Sequence, residues 1–193
     1  MKKLRALLIG GMVLTASGCS TLSEVNWSKM APWNWFGSSI SVSDSGVGGI
    51  NAATPLNEKA IADGLNGNYR VRSGMRMTGG RVMSYYEALK DDKVALIISG
   101  DGGRVQKITV MDEDIATAEG GVKPGTPFSA LYRKAYGACT RGGGEDTGLV
   151  VCKAPNSLHL SYLFGGTWRG PEGLMPSDDT LKEWTLKKIV WQR

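Results

Sequence analysis

Glycine and aspartate pairs cut the middle of this 193-residue chain into short apolar runs, and their spacing limits what it can fold into. Residues 69–75 form the first run. Gly79-Gly80 separates it from residues 81–89, and Asp91-Asp92 separates that run from 94–98. Gly100-Asp101-Gly102-Gly103 then returns the chain into 105–111. Links this short join antiparallel strands, whereas parallel neighbours need a crossover of about a dozen residues or more. Residues 69–111 therefore read as an antiparallel meander, with the densely apolar 94–98 run in a central place.

Two segments flanking the meander carry the same helix-opening pattern. Thr54-Pro55-Leu56 puts a threonine at the N-cap and a proline at the first helical position. Leu56, Ala60, Ile61, Gly64 and Leu65 then share a face. Thr126-Pro127-Phe128 repeats the pattern, with Phe128, Leu131, Tyr132 and Ala135 on one face. Arg133 and Lys134 complement its C-terminal dipole, and Gly137 stops it. Residues 149–152 and 186–191 read as strands. Between them Leu158, Leu160, Tyr162 and Phe164 alternate with Ser157, His159 and Ser161, which gives a strand one core face and one wetter face. Residues 48–193 are long enough to bury a single core. The expected fold is strand-rich α+β, a mostly antiparallel sheet or sandwich with two or three short helices.

The N-terminus has a different logic. Lys2, Lys3 and Arg5 precede an apolar stretch over residues 6–14, followed by Ala16, Ser17 and Gly18. Charged, apolar, small is the order of a secretory signal, here residues 1–18. The apolar stretch is well short of the ~20 residues that span a bilayer. Ala16-Ser17-Gly18-Cys19 resembles the lipobox of bacterial lipoproteins. That resemblance implies a diacylglyceryl group on the Cys19 thiol, cleavage just before it, and acylation of the new amine with a chain such as palmitate. Each buried methylene contributes ~0.8 kcal/mol, so three chains hold a protein to a membrane almost permanently. Ser20 and Thr21 lack the aspartate that retains lipoproteins at the inner membrane, so the expected location is the periplasmic face of the outer membrane. Residues 19–47 form the lipidated N-terminus and tether, leading into a first strand near Ile40 and Val42. Trp27, Trp33, Trp35 and Phe36 in this tether either sit at the membrane interface or fold back as a cap. The bracketing turn residues Pro32 and Gly37 favour the cap.

Cysteine and charge accounting follow from export. With Cys19 lipidated, Cys139 and Cys152 remain, and in an oxidising compartment a disulfide is the default. A metal or redox pair is disfavoured, because the spacing is not Cys-x-x-Cys and His159 is the only histidine. Removing Lys2, Lys3 and Arg5 from the 23 basic residues leaves 20 against 18 acidic ones. No basic stripe remains, which argues against nucleic acid as a partner.

The chain as a whole, tether included, resembles the sigma-E-regulated lipoproteins of enteric bacteria, a family of unknown function. The resemblance rests on APWNWFG at 31–37, GVKPGTPFSALYRKAYGAC at 121–139 and WRGPEGLMPSDDTLKEW at 168–184. It implies an envelope location and expression linked to envelope stress. It brings no catalytic residues.

The residues themselves offer little chemistry. His159 is the sole candidate base, beside Ser157 and Ser161, but no Gly-x-Ser-x-Gly elbow accompanies it. The glycine-rich stretches at 100–103 and 142–144 lack the Gly-Lys-Ser/Thr ending of a phosphate loop. Asp112, Glu113 and Asp114 are an acidic cluster. Asp178 and Asp179 follow Ser177 at a helix start, where the dipole favours acids. No metal set and no cofactor are expected. The strongest candidate surface is the loop 165–176, which carries Trp168, Arg169, Glu172, Leu174 and Met175. Aromatics, Arg and Met on a rigid scaffold suit recognition, while a strap whose Trp and Leu plug the end of the core is the competing role; Trp168 is expected to anchor the loop, with Arg169 and Glu172 facing outward to a partner. The expected function is a non-catalytic envelope lipoprotein that binds an envelope protein or glycan. The alternative is a small envelope hydrolase using His159 or an acidic pair.

Overall fold

Eight strands hydrogen-bond into one antiparallel sheet whose last strand in sequence sits near its middle. The computed structural model describes residues 40–171 and 173–193. The signal segment, Cys19, the tether aromatics Trp27, Trp33, Trp35 and Phe36, and Glu172 lie outside the described residues. The large sheet contains β3 (Arg70–Thr78), β4 (Arg81–Lys90), β5 (Lys93–Asp101), β6 (Arg104–Val110), β8 (Cys139–Arg141), β9 (Val150–Lys153), β10 (Leu160–Gly165) and β11 (Thr185–Gln192). Its order is β3-β4-β5-β6-β11-β10-β9-β8. A second, three-stranded sheet pairs β1 (Ser41–Ser43) antiparallel with β2 (Gly46–Val47) and parallel with β7 (Ala116–Thr117). The strand-rich α+β expectation holds, and so does the meander over β3–β6. Its first two turns have positive φ at both central residues, Gly79-Gly80 and Asp91-Asp92. That is the backbone that matches strand twist in two-residue hairpins.

One register line crosses the whole sheet on its core face. It runs Val71, Ala88, Leu96, Val110, Ile189, Tyr162, Cys152, Cys139, one residue from each strand in spatial order. The row below it includes Ile98, Ile108, Trp191 and Leu160. These residues join Ile61, Leu65, Val42 and Ile50 in one core. Burying such side chains contributes about 1.5–3 kcal/mol each, so the period-two alternation sets which face turns inward. At the sheet's outer end, Tyr85 lies over Gly74, its cross-strand partner, where a Cβ would collide with the ring. The Arg76 guanidinium stands 5.6 Å above that ring and pairs with Glu145 at 2.6 Å. Glu145 belongs to a short 3-10 turn, Gly144–Asp146, between β8 and β9. Strands at opposite ends of the sheet order are thereby linked, and the sheet curls.

The helices depart from expectation. α1 (Glu58–Gly64) is capped by Asn57, whose side chain accepts from the Ala60 N–H, and not by Thr54. α2 (Phe128–Leu131) is a single turn that ends at an extended Tyr132, so the helix expected to reach Ala135 and Gly137 stops early. Both Thr-Pro pairs are extended instead: Pro55 bridges to Arg104 and Pro127 to Thr185. The residue before proline is driven towards extended backbone, and a free strand end takes up the segment in each case. Tyr132 then leaves the helix because its hydroxyl donates to Lys153 O at 2.5 Å. Its ring packs with Phe128 and Phe164 at centroid distances of 5.3 and 5.8 Å. α3 (Asp178–Leu181) opens as expected, with Ser177 accepting from the Thr180 N–H.

The strand around His159 also needs correction. β10 begins at Leu160, and Leu158 is 92% exposed rather than part of the core face. A register shift between Leu163 and Phe164 buries both of these neighbours, which simple alternation would separate.

Candidate interaction surface

Loop residues 166–176 leave β10 at its end and return through α3 into β11, so both ends of the loop are tied to the sheet. The stem is held by Trp184, which is 3% exposed. Its ring covers Gly166, where any Cβ would collide with it, and its indole N–H donates to Thr167 O at 3.3 Å. Farther along, Pro176 is buried, and Met175 is half-buried against the core. Met175 therefore pins the loop and does not present itself to a partner.

Between these two pins the loop turns outward. Trp168 is 37% exposed and Leu174 58%. Trp168 packs locally, its ring over Gly170 and its indole N–H directed at Pro171 O at 3.5 Å. The core-plugging tryptophan is thus Trp184, and Trp168 is left on the surface. Arg169 is exposed, and among the described residues its side chain has no ion pair or hydrogen bond. The Leu174 N–H donates to Pro171 O at 3.3 Å, which closes the turn around Gly173. An indole, an arginine and a leucine are exposed on a loop whose two ends pack against the core.

The remaining candidates are occupied by structural work. Ser157 gives its hydroxyl proton to Asp44, and that same carboxylate oxygen accepts the Leu158 and His159 N–H groups at 3.0 Å. The His159 ring meets Gln192 O through Nδ1 at 3.1 Å. The acid is therefore aimed at serine and backbone, and the imidazole at a carbonyl, a pattern that clips the β1–β2 turn to the start of β10. Ser157, first of all, holds the Asp44 carboxyl below its ordinary pKa range. Of the acidic runs, Asp112 accepts from the Asp114 N–H, and Asp114 pairs with Lys90 at 2.7 Å, which lowers its pKa and raises that of Lys90. Asp178 caps the Ala135 N–H at 2.8 Å, and Asp179 pairs with Lys182. Among the described residues no three His, Cys, Asp or Glu side chains converge as a metal site. None of their helices is long and apolar enough to cross a membrane. Cys139 and Cys152 form a disulfide between directly opposed residues of β8 and β9.

Comparison with known proteins places this architecture. A family model described as "Protein of unknown function (DUF1131)" matches residues 24–193. A protein of Escherichia coli (strain K12), "Uncharacterized protein YfeY", is 56% identical over 193 residues, covering 100% of both chains. A solved structure, "Crystal structure of the uncharacterized protein yfeY from Escherichia coli", superimposes with a TM-score of 0.73 at 54% identity. It covers 79% of this chain and 99% of that one.

Proposed function

The chain belongs to the DUF1131 family of proteins of unknown function, and from that premise we propose that it is a non-catalytic, lipid-anchored envelope protein. In this reading Cys19 carries the lipid at the periplasmic face of the outer membrane, and synthesis responds to envelope stress. The folded part acts by presenting the 166–176 loop to an envelope protein or glycan. One observation carries the recognition role: Trp168, Arg169 and Leu174 face outward from a loop fixed at one end by Trp184 and at the other by Met175 and Pro176. A preorganised loop loses less conformational entropy on binding than a loose one, so its apolar and cationic groups yield more net affinity. The signal and lipobox-like residues up to Cys19 support the anchored location.

In-cell photocrosslinking from position 169 tests both parts at once. With the native N-terminus, a discrete envelope adduct is expected, together with labelling by a clickable fatty acid and outer-membrane fractionation. Cys19→Ala is expected to remove the label and leave the precursor uncleaved. A labelled Cys19→Ala protein ends the lipoprotein reading. A native protein that yields no adduct from position 169 ends the recognition-loop reading.

A further inference from the structure

A small recess lies where the β1–β2 turn, the segment after β7 and the turn before β10 meet. Its volume is about 130 Å³, close to the ~150 Å³ of an apolar cavity that admits a benzene ring. A guest of roughly six heavy atoms is therefore the right size. Val42 is fully buried, and Leu160 and Tyr162 are nearly so; all three line the recess. These side chains make an apolar floor, and the small exposed Ala118 borders the opening.

The lining also carries two acids, Asp44 and Glu119. Among the described residues neither forms an ion pair with a lysine or arginine. Asp44 is held in place by three donors on one oxygen, from Ser157, Leu158 and His159, so its charge is fixed in position. Ser157 also keeps it ionised below the ordinary carboxylate range. A larger open hollow of about 430 Å³ beside Lys90 makes the contrast. There Lys90 lies 2.7 Å from Asp114 and 3.7 Å from Asp112, so these two acids already have a cationic partner. The smaller recess has no such internal counter-ion.

We infer that this recess binds a primary alkylammonium of about four to six carbons, its stem on Val42, Leu160 and Tyr162 and its cationic head between Asp44 and Glu119. An apolar floor alone favours any small apolar guest. Carboxylates without a lysine or arginine partner, one of them held in place at Asp44, select among such guests for one that brings positive charge, since hydrogen bonds to charged groups contribute more than neutral ones. The site stands apart from the 166–176 loop and does not depend on it.

The test is a titration of the full chain, isotope-labelled and solubilised in a non-ionic detergent, with n-pentylammonium and with 1-pentanol. The readouts are the methyl resonances of Val42 and Leu160. Saturable shifts with a dissociation constant of ~1 mM or weaker are expected for the amine, well short of the affinity ceiling for six non-hydrogen atoms. The alcohol is expected to bind about tenfold more weakly. Glu119→Gln should weaken the amine by about two- to fivefold, the range for an exposed charge pair. Ala118→Trp, which obstructs the opening from an exposed position, should abolish the shifts while leaving the melting temperature unchanged. The inference is overturned if the amine produces no saturable shift at Val42 and Leu160, if the alcohol binds as well as the amine, or if Ala118→Trp leaves the shifts intact.

Discussion

Two tryptophans sixteen positions apart do opposite jobs. Trp184 fills the base of the loop from a buried position, whereas Trp168 stands over Gly170 at the surface. Truncating a buried Trp typically costs ~3–5 kcal/mol. For a chain of this size ~1 kcal/mol corresponds to about 2–4 °C. Trp184→Ala should therefore melt about 10 °C or more below the parent, while Trp168→Ala should melt within a few degrees of it; calorimetry of both variants decides. The reverse ranking would return the plugging role to Trp168. Tyr132 supplies a pH-dependent prediction. Burial, its main cause, raises the phenol's pKa well above the ordinary value, and proximity to Tyr162 adds to the shift. The folded state thus keeps a proton that the unfolded chain releases near pH ~10. A raised folded pKa gives stability that is intact below pH ~10 and is lost as pH rises through the window above it. Alkaline melting should show this decline, and Tyr132→Phe should make it shallower; an unchanged slope would mean that Tyr132 does not titrate in this window.

At the scale of elements, the shortest pieces depend most on their surroundings. β8 is three residues long and lies at the sheet's edge. The Cys139–Cys152 bridge ties it to β9 across a sequence separation of 13 residues. Closing a loop of that size contributes about 3 kcal/mol in the chain-entropy account. Replacing both cysteines by serine should lower stability by ~2–4 kcal/mol and speed amide exchange in β8 ahead of β10. Equal stability of the double variant and the parent would show that β8 holds without its tie. The one-turn α2 depends on its surroundings in the same way. Its sequence has the periodicity to continue, but Tyr132 and Ala135 gain partners outside it, Lys153 O and the Asp178 carboxylate.

At the scale of the molecule, the C-terminal strand decides whether the two halves of the sheet exist as one. β11 pairs with β6 on one side and β10 on the other. It contributes Leu186, Ile189 and Trp191 to the core and also buries Val190. Ending the chain at Trp184 removes four buried side chains, each worth about 1.5–3 kcal/mol, which together rival the whole stability of a typical domain. Such a truncation should be unfolded by circular dichroism and rapidly proteolysed, whereas loss of exposed Arg193 alone should leave the fold intact. A folded truncation would mean that β3–β6 and β8–β10 can each stand without their shared neighbour.

The sequence by itself determined the local and pairwise features: the meander over β3–β6, the α+β class, the Ser177 cap and the pairing of the two cysteines. Each rests on neighbours in the chain, two-residue turns, period-two alternation or a side chain capping its own backbone, and those forces act before any distant segment arrives. The tertiary structure decided the rest. It sent the Thr-Pro segments into bridges because strand ends at Arg104 and Thr185 offered hydrogen bonds. It placed β11 between β6 and β10, a pairing that turn spacing cannot encode. It gave Trp184, not Trp168, the interior, since both indoles are equally apolar and only the packing of Trp184 over Gly166 distinguishes them. It also gathered Asp44, Glu119 and Tyr162 around one recess from three separate segments, a convergence of residues far apart in sequence that no motif records.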